Sequence, residues 1–345
     1  MIAERKTILL GMPVISNLHR LIEENLRFHH FEVIDTAKYN SSFRYPSLKS
    51  HLYAKWRKLI YKDKETRKDI MWGSVITDVQ QKIQSVGGLD YALFISADCY
   101  SKDFLKEIKK QTRLQMVNYQ FDGLHRYPAI NDRIELFDRF YVFDEEDLAE
   151  NPHFLPACNF YFDNNLDKIP RKNSVQFYFL GSHNKSRVNY INEFAQYAEK
   201  RQFKIDFSIF WKKSDREGRK IYLTDNIQLI SKEIDFEKNT SKAMQANVLL
   251  DFVIGNHQGL SFRCFEALGY RKKLITSNQA IAGYDFYHPN NILIWDGKDY
   301  DSIDKFLNLP YIELASEVYE KYSFGNWIKY ILNIHPHLPI TLPSK

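Results

Sequence analysis

Short apolar runs alternate with amphipathic stretches from the beginning of the chain. Thr7-Ile-Leu-Leu10 has the pattern of a buried strand and ends at Gly11-Met-Pro13. Residues 17–28 then place Leu18, Leu21, Ile22 and Leu26 at helical spacing, and residues 31–34 predict the next strand. The alternation recurs with a strand over 91–95, a helix over 102–110 and a strand over 114–119. Such β-α-β order predicts a parallel sheet with helices on its faces. A Pro/Asn-rich stretch, 164–173, reads as a linker. Beyond it, 175–180 predicts a strand ending in Gly181-Ser182, 187–200 a helix, 203–210 a strand and 237–245 a helix. An apolar run over 247–254, a loop Gly255-Asn-His-Gln-Gly259, an amphipathic stretch over 260–270 and an apolar run over 273–276 complete the pattern.

A length of 345 residues suits two domains better than one core. The expected class is α/β with two Rossmann-like domains facing across a cleft, residues 1–168 and 169–310. A helical segment and tail, 311–345, is expected to cross back to the first domain. With 44% hydrophobic and 26% charged residues the chain is globular rather than disordered. No run is long enough to span a bilayer, and the start lacks a signal-peptide pattern. Cys99, Cys158 and Cys264 are scattered, which fits a reducing cytoplasm, and no histidine or cysteine spacing suggests a metal. The expectation is a cytoplasmic protein without metal or cofactor.

A net charge of +5 suits an anionic ligand or surface. Basic residues concentrate between 43 and 72, where Lys49, Lys55, Arg57, Lys58 and Lys62 interleave with Phe43, Tyr45, Tyr53, Trp56 and Tyr61. Two readings stay open. One is contact with a phosphate-bearing partner such as an anionic membrane; the other is a helix with a solvated lysine face and a packed opposite face. No recognisable RNA or DNA motif accompanies the stretch, so nucleic acid is not an expected partner.

The strand–Gly loop–helix arrangement at 247–270 aims backbone N–H groups and a helix N-terminus at one spot, which suits a phosphate. On that helix Cys264, Phe265 and Leu268 share an apolar stripe, while Arg263, Glu266 and Tyr270 fall opposite. Glu266 is thus placed either to pair with Arg263 at the surface or to bind a ligand. His257-Gln-Gly-Leu-Ser-Phe-Arg-Cys-Phe-Glu266-Ala-Leu, with Lys273-Leu-Ile-Thr276, resembles the donor site of retaining GT-B glycosyltransferases. That resemblance implies a nucleotide-sugar donor whose ribose is held by Glu266. Gln258 takes the place of a first acid, and Arg271 stands where the family has Gly. His257, Gly259, Leu260 and Ser261 would complete the loop. Gly181, Ser182, Lys185 and Arg187, in Phe179-Leu-Gly181-Ser-His-Asn-Lys185-Ser-Arg187, match the family's diphosphate loop. The segment Asn278-Gln-Ala-Ile281-Ala-Gly-Tyr284-Asp-Phe-Tyr287 is similar to bacterial lipopolysaccharide and capsule glycosyltransferases. No Asp-x-Asp pair lies in a suitable loop, so metal-independent transfer is expected.

In that family the first domain contacts the acceptor. Gly11 and Arg126 are the candidate acceptor-binding residues, and Asp122 and His125 the candidate catalytic ones, within Asn118-Tyr-Gln-Phe-Asp122-Gly-Leu-His125-Arg126-Tyr-Pro128. Asp122 or His125 would deprotonate an acceptor hydroxyl if configuration inverts, and only position it if configuration is retained. A structural turn capped by Asp122 is the plainer alternative. Ser96-Ala-Asp98-Cys99 also ends a strand, but Cys99 has no partner histidine to activate it. The expected function is transfer of a sugar to a glycan or lipid-linked glycan acceptor at the inner face of the bacterial membrane. The alternatives are a sugar-nucleotide epimerase and a non-catalytic nucleotide-sugar-binding module.

Overall fold

A computed structural model describes residues 5–63, 65–212, 219–255 and 259–343. The chain divides into two units, Met1–Ala157 with Ile328–His337, and Cys158–Trp327 with Leu338–Lys345.

In the first unit every residue of β1 (Thr7–Gly11) is buried, which explains its unbroken apolar run. It is followed by α1 (Leu18–Phe28), β2 (Glu32–Asp35), α2 (Ala37–Ser42), α3 (Leu48–Tyr61), α4 (Glu65–Ser85) and β3 (Leu89–Ile95). The unit continues with α5 (Lys102–Gln111), β4 (Thr112–Gln120), β5 (Arg139–Val142), α6 (Glu145–Glu150) and β6 (Phe154–Pro156). The six strands form one sheet in the order β2-β1-β3-β4-β5-β6. Every pairing is parallel. Trp72 of α4 lies over Tyr100 and Phe104 in the core, and its Nε1 donates to the Cys99 carbonyl at 3.0 Å. The returning segment 328–337 completes this unit: the Tyr141 hydroxyl donates to the carbonyls of Tyr330 and Ile331, and the Tyr330 hydroxyl to that of Pro156.

The second unit comprises β7 (Val175–Ser182), α7 (Lys185–Lys200), β8 (Ile205–Phe210), β9 (Ile227–Ile230), α8 (Phe236–Met244) and β10 (Ala246–Asp251). Then come α9 (Phe262–Gly269), β11 (Lys273–Thr276), β12 (Ile292–Ile294), α10 (Tyr300–Asn308) and α11 (Ser316–Lys321), and the first half of α12 (Phe324–Ile331), whose residues from Ile328 onward belong to the first unit. Its sheet, also all parallel, runs β12-β11-β10-β7-β8-β9. The chain is therefore two consecutive Rossmann-like α/β units, the architecture expected of a GT-B enzyme.

Two local differences from the sequence pattern bear on the site. β10 stops at Asp251 although apolar residues continue to Ile254, because Val253 donates to the Ser277 hydroxyl instead of to a strand neighbour. More consequentially, α9 has no solvated side: Arg263 through Gly269 are all buried. Phe265 packs on Tyr284, Phe286 and Tyr322, while Phe262 packs on Phe160, Phe162 and Phe236. A Cβ at Gly269 would stand 2.1 Å from the Tyr161 ring, so the end of α9 needs glycine for that approach.

Candidate functional site

In a doubly wound sheet, ligands bind beyond the carboxyl ends of the strands where the winding reverses. In the second unit that point lies between β7 and β10, which are hydrogen-bonded neighbours. The connection after β7 leads into α7, and that after β10 leads into α9. The Gly255 amide donates to the Ser186 hydroxyl at 3.1 Å and ties the two connections together. Gly255 has φ 52°, a left-handed conformation that glycine adopts without strain.

Asn184 caps α7, its side chain accepting from the Ser186 amide at 3.0 Å. Lys185 is exposed in the first turn, and Arg187 points back into the crevice. The Arg187 guanidinium donates to the carbonyls of Ser182 and Phe252 and lies 5.5 Å above the Phe179 ring. The residue is only 6% exposed, and its Nε makes no hydrogen bond among the described residues. Burial pushes its pKa down, with Asp251 opposing. A Cβ at Gly181 would come within 2.6 Å of Nη2, so glycine there makes room for the cation. Gly181, Ser182 and Arg187 thus meet the start of the 252–260 loop at one sheet edge. What the arrangement can do is bind an anion, using a dry guanidinium and the positive end of a sixteen-residue helix.

The remaining donor candidates divide. His257 and Gln258 lie outside the described residues. The Gly259 carbonyl accepts from Asn278, and the carbonyl of buried Leu260 from Asn159. Ser261 caps α9 by accepting from the Arg263 amide, while its hydroxyl donates to Asp251 at 2.8 Å. Asp251 also accepts from Thr276 at 3.1 Å, so it organises the end of β10.

Glu266 lies on the opposite face of the sheet from Arg187. Neighbouring residues of β7 show this: Phe179 lies under Arg187, and Tyr178 lies under Arg263 at 4.9 Å. One Glu266 oxygen accepts from Arg263 Nη1 at 2.7 Å and the other from the Thr240 hydroxyl at 3.2 Å. Arg263 and the Tyr178 hydroxyl both donate to the Asn239 side-chain oxygen. The carboxylate is 1% exposed, and burial raises its pKa against the pull of Arg263. The Arg263–Glu266 pair forms inside the helix layer, not at a surface, because α8 and β7 cover that side of α9. Arg271 has φ 51°, so the left-handed position that the resemblance assigns to glycine persists with an arginine in it. Its side chain pairs with Glu313 at 2.9 Å and lies over Tyr319.

In the first unit, Gly11 ends β1 buried against aromatic rings, and a Cβ there would lie 2.4 Å from Phe94. Asp122 accepts from both the Gly123 amide and Arg126, which brings two of the candidate residues together. Exposed His125 folds back over Gly123, whose added Cβ would meet its ring at 2.7 Å. Beside this loop is a group that the sequence reading did not place in the site. Ser96 Oγ, Asp98 Oδ1, Asn118 Nδ2 and both amide atoms of Gln120 are buried at the ends of β3 and β4 without hydrogen bonds of good geometry among the described residues. Ser96 is left-handed at φ 55°, and the Asn118 oxygen accepts from the Ala97 amide at 3.0 Å. Burial raises the Asp98 pKa, opposed by Lys68, Arg133 and the facing Gln120 amide. The available signal was Asn118 and Gln120 themselves, polar residues in the buried second half of β4, 116–120.

Among the described residues, no cluster of three or more His, Cys, Asp or Glu is placed to hold a metal, and no helix is long and apolar enough to cross a membrane.

No protein-family model and no curated protein matches the chain. Among solved structures, an alpha-glucosyltransferase in complex with UDP and a 13-mer DNA is similar at TM-score 0.49 and 11% identity, over 88% of this chain and 90% of that one. The glycosyltransferase SnogD from Streptomyces nogalater is similar at 0.43 and 10%, over 88% and 90%. A UDP-N-acetylglucosamine 2-epimerase from Rickettsia bellii is similar at 0.39 and 13%, over 80% of each chain. At these identities no residue role passes from those proteins to this one.

Proposed function

We propose that this protein transfers a glycosyl group from a nucleoside-diphosphate sugar to a hydroxyl of a bacterial surface glycan or lipid-linked glycan, without a metal and with retention of configuration. The observation that carries the reading is Arg187, a dry cation at the winding reversal of the second unit whose Nε has no hydrogen-bond partner among the described residues. The donor diphosphate accepts from Arg187 and lies at the N-terminus of α7, with Lys185 at the solvent side. As the anomeric carbon–oxygen bond breaks, its electron pair passes to the departing phosphate oxygen. Arg187 and the helix end stabilise that charge. The acceptor oxygen bonds to the anomeric carbon, and its proton passes to the departing phosphate.

In the first unit, Asp122, held by Arg126, and the buried polar atoms of Asp98 and Gln120 at the strand ends hydrogen-bond the acceptor's hydroxyls. Glu266 is engaged by Arg263 and Thr240, and the reading places no ribose on it.

Isothermal titration with a panel of UDP-, GDP-, ADP- and CMP-sugars tests the donor site, and absence of binding to every member refutes it. Acceptor-dependent release of nucleoside diphosphate that survives EDTA is the expected turnover. Conversion of the nucleotide sugar without any acceptor would instead identify an epimerase.

A further inference from the structure

Helix α3 is well formed, with a capping box between Ser47 and Ser50, yet Ala54 is its only buried residue. Its large apolar side chains are exposed: Leu48 at 81%, Leu59 at 80%, Leu52 at 65% and Trp56 at 49%. At about 100° per residue, Leu48, Leu52, Trp56 and Leu59 fall within an arc of about 80°, with Ile60 and Tyr53 extending it. Ala54 lies on the opposite side. The apolar stripe therefore points away from the protein, the reverse of a helix that packs on a core. Neither sequence reading of this stretch described that arrangement.

Charge decides what covers the stripe. Lys55 and Lys58 lie along one flank, with Lys62 at the helix end; on the other side Lys49 falls between Trp56 and Ile60, and Arg57 lies beyond Tyr53, paired with Asp63 at 2.7 Å. Residues 48–61 contain no Asp or Glu. Tyr53 stacks on Trp56, and Trp56 meets Tyr61 edge-on, so the amphipathic rings are grouped. A second copy docked on the same stripe would bring like charges together. A surface that is apolar beneath and anionic above matches both the leucines and the lysines.

We propose that α3 lies in the interface of an anionic lipid bilayer, its Leu48–Leu52–Trp56–Leu59 stripe among the acyl chains and its cations among the headgroups. This inference stands independently of the donor site.

The test is co-sedimentation of the full chain with vesicles of phosphatidylcholine alone and of phosphatidylcholine mixed with phosphatidylglycerol. The chain is expected to sediment with the mixed vesicles, release in high salt and bind the neutral ones at least tenfold more weakly. Leu52→Glu/Leu59→Glu should abolish sedimentation, and Lys55→Glu/Lys58→Glu should weaken it tenfold or more. All four positions are exposed, so unchanged melting curves are expected for both variants. The proposal is overturned if the mixed vesicles leave the chain in the supernatant, if neutral vesicles bind it equally, or if the Leu52→Glu/Leu59→Glu variant sediments like the wild type. A dimer in vesicle-free ultracentrifugation that this variant dissociates, with no vesicle binding, would assign the stripe to self-association.

Discussion

Replacing Arg187 with methionine separates a cation that serves a ligand from one that serves the fold. The guanidinium donates to the Ser182 and Phe252 carbonyls, and Nε has no acceptor among the described residues. Losing charged hydrogen bonds to those carbonyls costs about 1.5–3 kcal/mol each at most, and the 3.5 Å contact to Phe252 lies at the weak end. Against this, removing a desolvated cation returns several kcal/mol. The free Arg187→Met protein should therefore match or exceed wild-type stability. Its affinity for a nucleoside diphosphate should fall by the worth of one charge-assisted contact, about 1.5–3 kcal/mol, or roughly 10- to 150-fold. Isothermal titration gives the affinity, and urea denaturation gives the stability of the same preparation. Gly181→Ala should weaken nucleotide binding in the same direction, because its methyl group would occupy the guanidinium's place, 2.6 Å from Nη2. A less stable Arg187→Met protein that binds nucleotide as the wild type does would refute the reasoning and leave Arg187 as a tether between two loops.

The Arg263–Glu266 pair should behave oppositely: either Arg263→Met or Glu266→Leu alone should cost about 3–5 kcal/mol in urea denaturation, and the double substitution should recover most of it. A stable Glu266→Leu protein that no longer binds nucleotide would return that carboxylate to the ligand. Arg271→Gly should lie within about 1 kcal/mol of wild type, since relief of left-handed strain offsets an exposed ion pair. Arg271→Val, which keeps the strain and loses the pair, should be clearly destabilising by the same measurement. Burial pushes the Lys272 pKa down to about 8 from its ordinary 10.5. Between those values the unfolded chain binds more protons than the folded one, so unfolding free energy should rise with pH from about 8 to 10. A Lys272→Met protein should lose that rise in pH-dependent thermal melts.

The long elements were legible because one face or both faces of each impose a period: α1, α5 and α7 carry helical apolar spacing, and β1, β7 and β10 have apolar centres at 8–10, 177–180 and 248–250. Short strands were legible only in part: β2 and β11 were read at four residues each, but β5 and β9, of the same length, were not. β6 and β12 are too short to show a period and exist through their pairing with β5 and β11. The closeness of Gly181, Ser182 and Arg187 was readable, since a glycine before a helix cap and an arginine just after it lie within seven residues of one another. The surroundings of Glu266 were not, because spacing shows which residues share a helix face but not how many faces are covered. The outward stripe of α3 was hidden for the same reason: a helical period looks identical whether its apolar side meets a core or the outside. The strand-end group of Asp98, Asn118 and Gln120 comes from two strands, and only the β3–β4 register brings it together.

Because residues 328–337 belong with the first unit, that unit lacks a part until the ribosome has passed His337. The wait after Ala157 is roughly 180 residues, about 10–35 s at ordinary elongation rates. Over that interval the Tyr141 hydroxyl and the Pro156 carbonyl have no access to their eventual partners on Tyr330 and Ile331. A fragment ending at Ala157 is consequently a poor stand-in for the amino-terminal half. Gene fusions or truncations that remove the last twenty residues should impair the beginning of the protein as well as its end.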